Sequence, residues 1–154
     1  MNSLTALFLF QMPAEFGPSK ENIDTVAAFF KKSQVSERSV IEFRDKRWWL
    51  HTQLCAGLGL GFCSVDAPAL PREIIQMNGL VYLRLHGREK WYSSIYSEQQ
   101  LAEVCNELER SASNARRGVY VYLNNDHGML PNGAYLMNRL GISPRKKDGE
   151  ILAG

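Results

Sequence analysis

The apolar residues of this chain change period as they go, and the order of those changes limits the folds open to it. Thr5 to Gln11 is a continuous apolar run stopped by Pro13 and Gly17, the pattern of a strand buried on both faces. From Ser19 the spacing becomes helical: Ser19 is placed to cap, Glu21 falls in the first turn, and Ile23, Val26, Ala27 and Phe30 form one stripe. Ser39 to Arg44 reads as a second strand, and Lys46 to Ala56 as a helix closed by Gly57 or Gly59. Leu60 to Asp66 is a third strand. Pro68 and Pro71 then make the chain irregular, with room for a short helical turn, before Leu80 to His86 forms a fourth strand. Ser97 opens the best-marked helix, with Gln100 at the capping-box position and Leu101, Val104, Cys105 and Leu108 on one stripe. Gly118 to Asn124 is the fifth strand, and Ala134 to Leu140 a short helix stopped by Gly141 and Pro144. Strands alternating with helices make βα units joined by right-handed crossovers. The class is therefore α/β with a parallel sheet: one domain over residues 1–143, then a flexible tail over 144–154.

The 154 residues suffice to bury one core, and their net charge of +2 argues against nucleic acid as a partner. The basic cluster Arg145-Lys146-Lys147 falls in the tail and reads as a solvated end. Cys55, Cys63 and Cys105 are odd in number, lack metal-ligand spacing and sit among apolar residues, which suits reduced thiols in a cytoplasmic protein. The opening LTALFLF lacks a basic leader and a small-residue cleavage site, and is too short to span a membrane.

Side chains of a strand alternate between two faces. In the fourth strand Val81, Leu83 and Leu85 share one face and Tyr82, Arg84 and His86 the other; in the fifth, Val119, Val121 and Leu123 oppose Tyr120, Tyr122 and Asn124. In the second, Ile41 and Phe43 oppose Val40, Glu42 and Arg44. The aliphatic face should pack under helices and the mixed face look into a barrel interior or crevice. Its polar residues come late in each strand, so Gln11, Glu42 with Arg44, Asp66, Arg84 with His86, and Asn124 gather at the C-terminal rim, where such folds place their sites.

Bland readings stand beside these. Glu42 and Arg84 suit a mutually neutralising interior pair, His86 a satisfied core histidine, Asp66 a turn before Pro68, and Asn124 with Asn125 a simple turn. Trp91, Tyr92 and Tyr96 either wall a pocket or pack on the next helix, and Trp48 and Trp49 read as helix packing. His51 and His127 read as solvated. The glycines of GLGLG (Gly57, Gly59, Gly61) follow a helix and precede a strand, the reverse of a phosphate-binding loop.

The ordered blocks FLFQMPAEF, VIEFRDKRWW, SVDAP, VYLRLHGREKWY with SSIYS, and VYVYLNND with Asn132 resemble the YecE-like family, domain of unknown function 72, from about Leu4 to Gly141. Small departures are Met12 and Ala14 where the family tends to have Leu and Pro, Leu123 for a usual Phe, and Gly133 for a common Ala. The resemblance implies a TIM-barrel-like fold without an established activity. It also implies signature positions at Gln11, Glu42, Arg44, Asp66, Arg84, His86, Gly87, Trp91, Tyr92, Tyr96, Asn124 and Asn125. Family members begin with a Gly-Trp-Ser-Tyr type block and a Glu-Asn-Thr-Phe-Tyr type block that have no match here. A full barrel has eight βα units in about 250 residues, so the expectation is a partial barrel of about five strands: either the C-terminal part of a barrel from a split or truncated reading frame, or a chain that closes with a second copy or a complementing chain.

The functional expectation is a rim site for a small anionic, sugar- or phosphate-like molecule, with hydrolase- or isomerase-type acid and base chemistry. The catalytic candidates are His86, Glu42 and Asp66. The ligand-binding candidates are Gln11, Arg44, Arg84, Gly87, Trp91, Tyr92, Tyr96, Asn124 and Asn125. A divalent metal on Glu42, Asp66 and His86 is a variant without close ligand spacing in its favour, and nothing in the sequence names a cofactor. The alternatives are a non-catalytic binding module, or a truncated barrel without activity of its own.

Overall fold

The computed structural model describes residues 6–143. Thr5 and the basic tail lie outside these residues. The strands are β1 (Phe8–Gln11), β2 (Ser39–Glu42), β3 (Gly61–Asp66), β4 (Gln76–Met77), β5 (Leu80–Leu85) and β6 (Gly118–Leu123). The helices are α1 (Lys20–Ser33), α2 (Thr52–Gly57), α3 (Glu98–Ala112) and α4 (Met129–Arg139). Five strands run parallel in the order β1, β2, β3, β5, β6, and β4 pairs antiparallel with the start of β5. Among the described residues the sheet is not closed: β1 pairs only with β2, and β6 only with β5.

The registers bear out the alternation of faces. Val81, Leu83 and Leu85 pack under Leu101, Val104, Cys105 and Leu108 of α3, with Leu136 of α4. Ile41, Phe43 and Phe62 pack under Val26 and Phe30 of α1, with Trp48 and Cys55. Trp48 is fully buried, its ring 3.9 Å from that of Phe43, and its Nε1 donates to the Phe16 carbonyl at 2.6 Å. On the other face Val40, Cys63, Val65, Leu80 and Tyr82 form the inner row.

Capping works where the residues allow it. Ser19 accepts from the Asn22 N–H at the start of α1, and Ser97 and Gln100 form a reciprocal capping box on α3. Four expectations need correction. β1 is not buried on both faces: Phe8 and Leu9 are 39% and 36% exposed, because none of the described residues covers the free edge of their strand. The helix expected over Lys46 to Ala56 divides into a 3-10 segment, Lys46–His51, and α2. The last helix begins at Met129 rather than Ala134, since Pro131 falls in its first turn, where a missing N–H costs nothing. Between β3 and β5 there is no helix; the chain makes the β4 hairpin through Asn78 and Gly79, both at positive φ (49° and 77°). Asn-Gly is the strongest short-range signal for such a turn.

Candidate ligand site at the sheet rim

Glu42 ends β2 on the inner face and is fully buried. An isolated buried carboxylate is costly, and two guanidiniums meet this one. Arg84 on β5 donates through Nη1 to Glu42 Oε2 at 2.5 Å and to Gln11 Oε1 at 2.9 Å. Arg44, two residues beyond Glu42 on the same side, donates through Nε to Oε1 at 3.2 Å. The Cys63 thiol of β3 lies 3.8 Å from Oε2, and burial first, then the Glu42 charge, pushes its pKa well up. Four strands thus meet around one carboxylate, with two positive charges against its one negative charge.

His86 follows β5 on the same inner row. It is fully buried and its Nε2 is 3.9 Å from Glu42 Oε1; neither ring nitrogen makes a hydrogen bond of full geometry among the described residues, and the Asn124 backbone offers the ring a weak one. Burial, then the Arg84 charge, holds its pKa down at about 4 against the pull of Glu42, so the imidazole is neutral at pH 7. Its cover is aromatic: the Trp91 and Tyr92 rings lie 5.3 and 4.9 Å away, centroid to centroid. The Arg44 guanidinium sits over both, 5.1 Å from the Trp91 ring and 5.7 Å from the Tyr92 ring.

In front of these rings opens a cleft of about 560 Å³, lined by Ala14, Arg44, Asp45, Lys46, Pro68, Ala69, Leu70, Trp91 and Tyr92. Its lining combines the charged Arg44, Asp45 and Lys46 with apolar and aromatic side chains. Asp45 is committed to Arg47, whose hydrogen bonds hold its carboxyl below the usual range, so Arg44 and Lys46 set the sign of the cleft. Ala69 and Tyr92, on its lining, hold φ of 63° and 65°, a region that costs a non-glycine residue about 1 kcal/mol or more.

The remaining candidates divide. Tyr96 is buried; its hydroxyl accepts from the Gly87 N–H at 2.9 Å and donates to the Asp66 carbonyl at 3.2 Å. Gly87 stands at φ 106°, where a Cβ would come within 2.7 Å of the Lys90 carbonyl. Asn125 is buried and donates to Ser94 O and Asn132 Oδ1, while Asn132 bonds the Tyr96 main chain twice. These residues brace the loop behind the rings. Asn124 continues the inner row of β6, its N–H bonded to the Leu85 carbonyl.

Asp66 stands apart. The alternation of β3 puts Cys63 and Val65 inward and Phe62, Ser64 and Asp66 toward the helices, and Asp66 pairs there with Arg88 at 3.0 Å, which also holds Glu103. Asp66 does not share a face with Glu42 and His86, and among the described residues no cluster of three metal-ligating side chains forms. Sequence reasoning passed over Cys63, Lys46 and Arg88. The alternation of β3 carries a signal for Cys63; Lys46 and Arg88 come from loops, where no periodicity speaks.

Fold and rim together define a class: an open parallel α/β sheet of barrel type with buried charge at its C-terminal rim. Within it, the chain belongs to the family described as a protein of unknown function, DUF72, whose model matches residues 1–150. It is similar in structure to a DUF72 family protein from Thermotoga maritima, with TM-score 0.76 and 23% identity over 86% of this chain and 56% of that one. A DUF72 family protein from Enterococcus faecalis is similar at TM-score 0.77 and 22% identity, over 92% of this chain and 62% of that one. The chain thus spans less than two thirds of the length of these relatives. A search of curated proteins returns no match. No described helix is long and apolar enough to cross a membrane.

Proposed function

We propose that the rim cleft binds a small anionic molecule of sugar- or phosphate-like kind, with Arg44 as its principal grip and His86 as the acid or base. The observation that carries this reading is the state of Arg44. Only its Nε is bonded to Glu42, and among the described residues neither terminal nitrogen has a hydrogen bond, on the wall of a cleft that also carries Lys46 and the Arg47-paired Asp45. A guanidinium in that state suits a carboxylate or phosphate, which it can hold through two parallel hydrogen bonds. In this reading Glu42 and Arg84 position the grip, and Asp66 is left to its pair with Arg88.

Titration of the chain with inorganic phosphate and with sugar monophosphates, followed by calorimetry, tests the assignment. Arg44→Ala is expected to weaken binding by about tenfold or more, the worth of a charge-assisted hydrogen bond. Undiminished affinity in the variant would overturn the assignment.

A binding module without chemistry is the second reading. It is favoured by the complete burial of His86, which keeps the acid or base away from the cleft in the conformation described. Location in a reducing, cytoplasmic compartment is supported by three buried free cysteines. A second copy or a complementing chain at the open edges is supported by the exposed apolar residues there: Phe8 and Leu9 on β1, Val119 and Tyr122 on β6.

A further inference from the structure

The group best suited to acid or base chemistry is sealed, and the seal touches the anion grip. His86 has no exposed surface, and neither of its ring nitrogens makes a hydrogen bond of full geometry among the described residues. Trp91 and Tyr92 cover it from a loop that turns out at Gly87, φ 106°, and holds Tyr92 itself at φ 65°. The segment returns on itself through the Tyr92 N–H to the His86 carbonyl, 2.7 Å, and is anchored behind by Tyr96 and Asn125. Both covering rings also meet the guanidinium of Arg44, whose terminal nitrogens have no hydrogen bond among the described residues.

We infer that Trp91 and Tyr92 form a gate over His86 that Arg44 latches, and that an anion taken up by Arg44 releases it. The inference rests on the anion-binding reading of the cleft and adds to it how access to the histidine is governed. A guanidinium has one plane and one charge. Turning its terminal N–H groups onto a phosphate draws it away from the ring faces, and direct charge-assisted bonds outweigh contacts to ring quadrupoles. The two rings then lose their shared cation, and Tyr92 gains freedom to leave its strained backbone conformation. Access to His86 would follow arrival of the ligand, so water would not compete for the imidazole in the empty protein.

The test is the rate at which diethyl pyrocarbonate modifies each histidine of the intact chain, read by peptide mass spectrometry with and without inorganic phosphate. Calorimetry under the same conditions reports binding. His127, with a 93% exposed side chain, serves as the internal standard. Without phosphate, His86 is expected to react at least about tenfold more slowly than His127, and saturating phosphate to raise the His86 rate by about tenfold, as a modest preference of the anion for the open form would give. Trp91→Ala is expected to make His86 reactive without phosphate, and Trp91→Phe to restore part of the protection. Phosphate binding without a change at His86, or phosphate protecting His86 further, would overturn the gate while leaving the anion site in place. Absence of phosphate binding would overturn both.

Discussion

At the scale of single residues, the chemistry of the rim follows from one buried carboxylate and the charges it recruits. Glu42 accepts from Arg44 and Arg84, and burial first, then the Arg84 charge, keeps His86 neutral. This has a consequence for stability. His86 has a folded-state pKa of about 4 against an ordinary value of 6.5, so between these values the unfolded chain binds the proton and the folded chain does not. Its contribution is complete above pH 6.5 and is lost as pH falls toward 4. Urea titrations across that window should show the loss, and His86→Phe should flatten the pH profile. Much of this cluster was legible in the sequence. Period-two alternation places Glu42, Arg84 and His86 on one face without any coordinate, because a strand gives a side chain only two directions. The same rule, carried through β3, separates Asp66 from them; proximity to the strand end alone does not. The aromatic cover was less legible, since Trp91 and Tyr92 sit in a loop whose path depends on a positive φ at Gly87 and Tyr92.

At the scale of elements, the loop from His86 to Ser97 is held by a few hydrogen bonds rather than by regular structure. The Tyr96 hydroxyl joins two main-chain groups, the N–H of Gly87 and the carbonyl of Asp66, from two different strand ends. Tyr96→Phe leaves the Gly87 N–H without its acceptor in a buried place and should cost about 1–3 kcal/mol. Thermal or urea unfolding would measure this, and a change below a few tenths of a kcal/mol would mean that the loop is braced elsewhere. The ends of α1 and α3 were plain from Ser19 and from Ser97 with Gln100, because capping is written in local residue types. The start of α4 was misplaced because Pro131 looks like a breaker and is harmless in a first turn.

At the scale of the whole molecule, an α/β sheet with two free edges among the described residues is the dominant fact. β6 carries no charged residue, and beside it Val119, Val121 and Leu123 line an apolar trough of about 370 Å³ with Leu136, Met137 and Leu140. Such an edge lacks the lysines, prolines and bulges that keep strands from pairing with other chains. Light scattering should therefore report self-association that grows with concentration. Val119→Lys, at a position 43% exposed, should reduce it with little effect on folding. A monodisperse monomer at high concentration, unaltered by the substitution, would show that the edge is harmless. The order of strands was readable because each helix stripe and each strand run is long enough to declare its period. The short β4 was not, since two residues carry no period at all, and only the Asn78-Gly79 pair announces it.

That hairpin also bears on how the chain reaches its fold. Every other strand pairing among the described residues is parallel and must wait for a long connection to close. β4 and β5 meet across Asn78 and Gly79 alone, a closure that takes about 1–10 μs in isolated hairpins. The strand that carries Arg84 and leads into His86 is thus the one with a local partner, and the search for β3 and β6 starts from a strand already held straight.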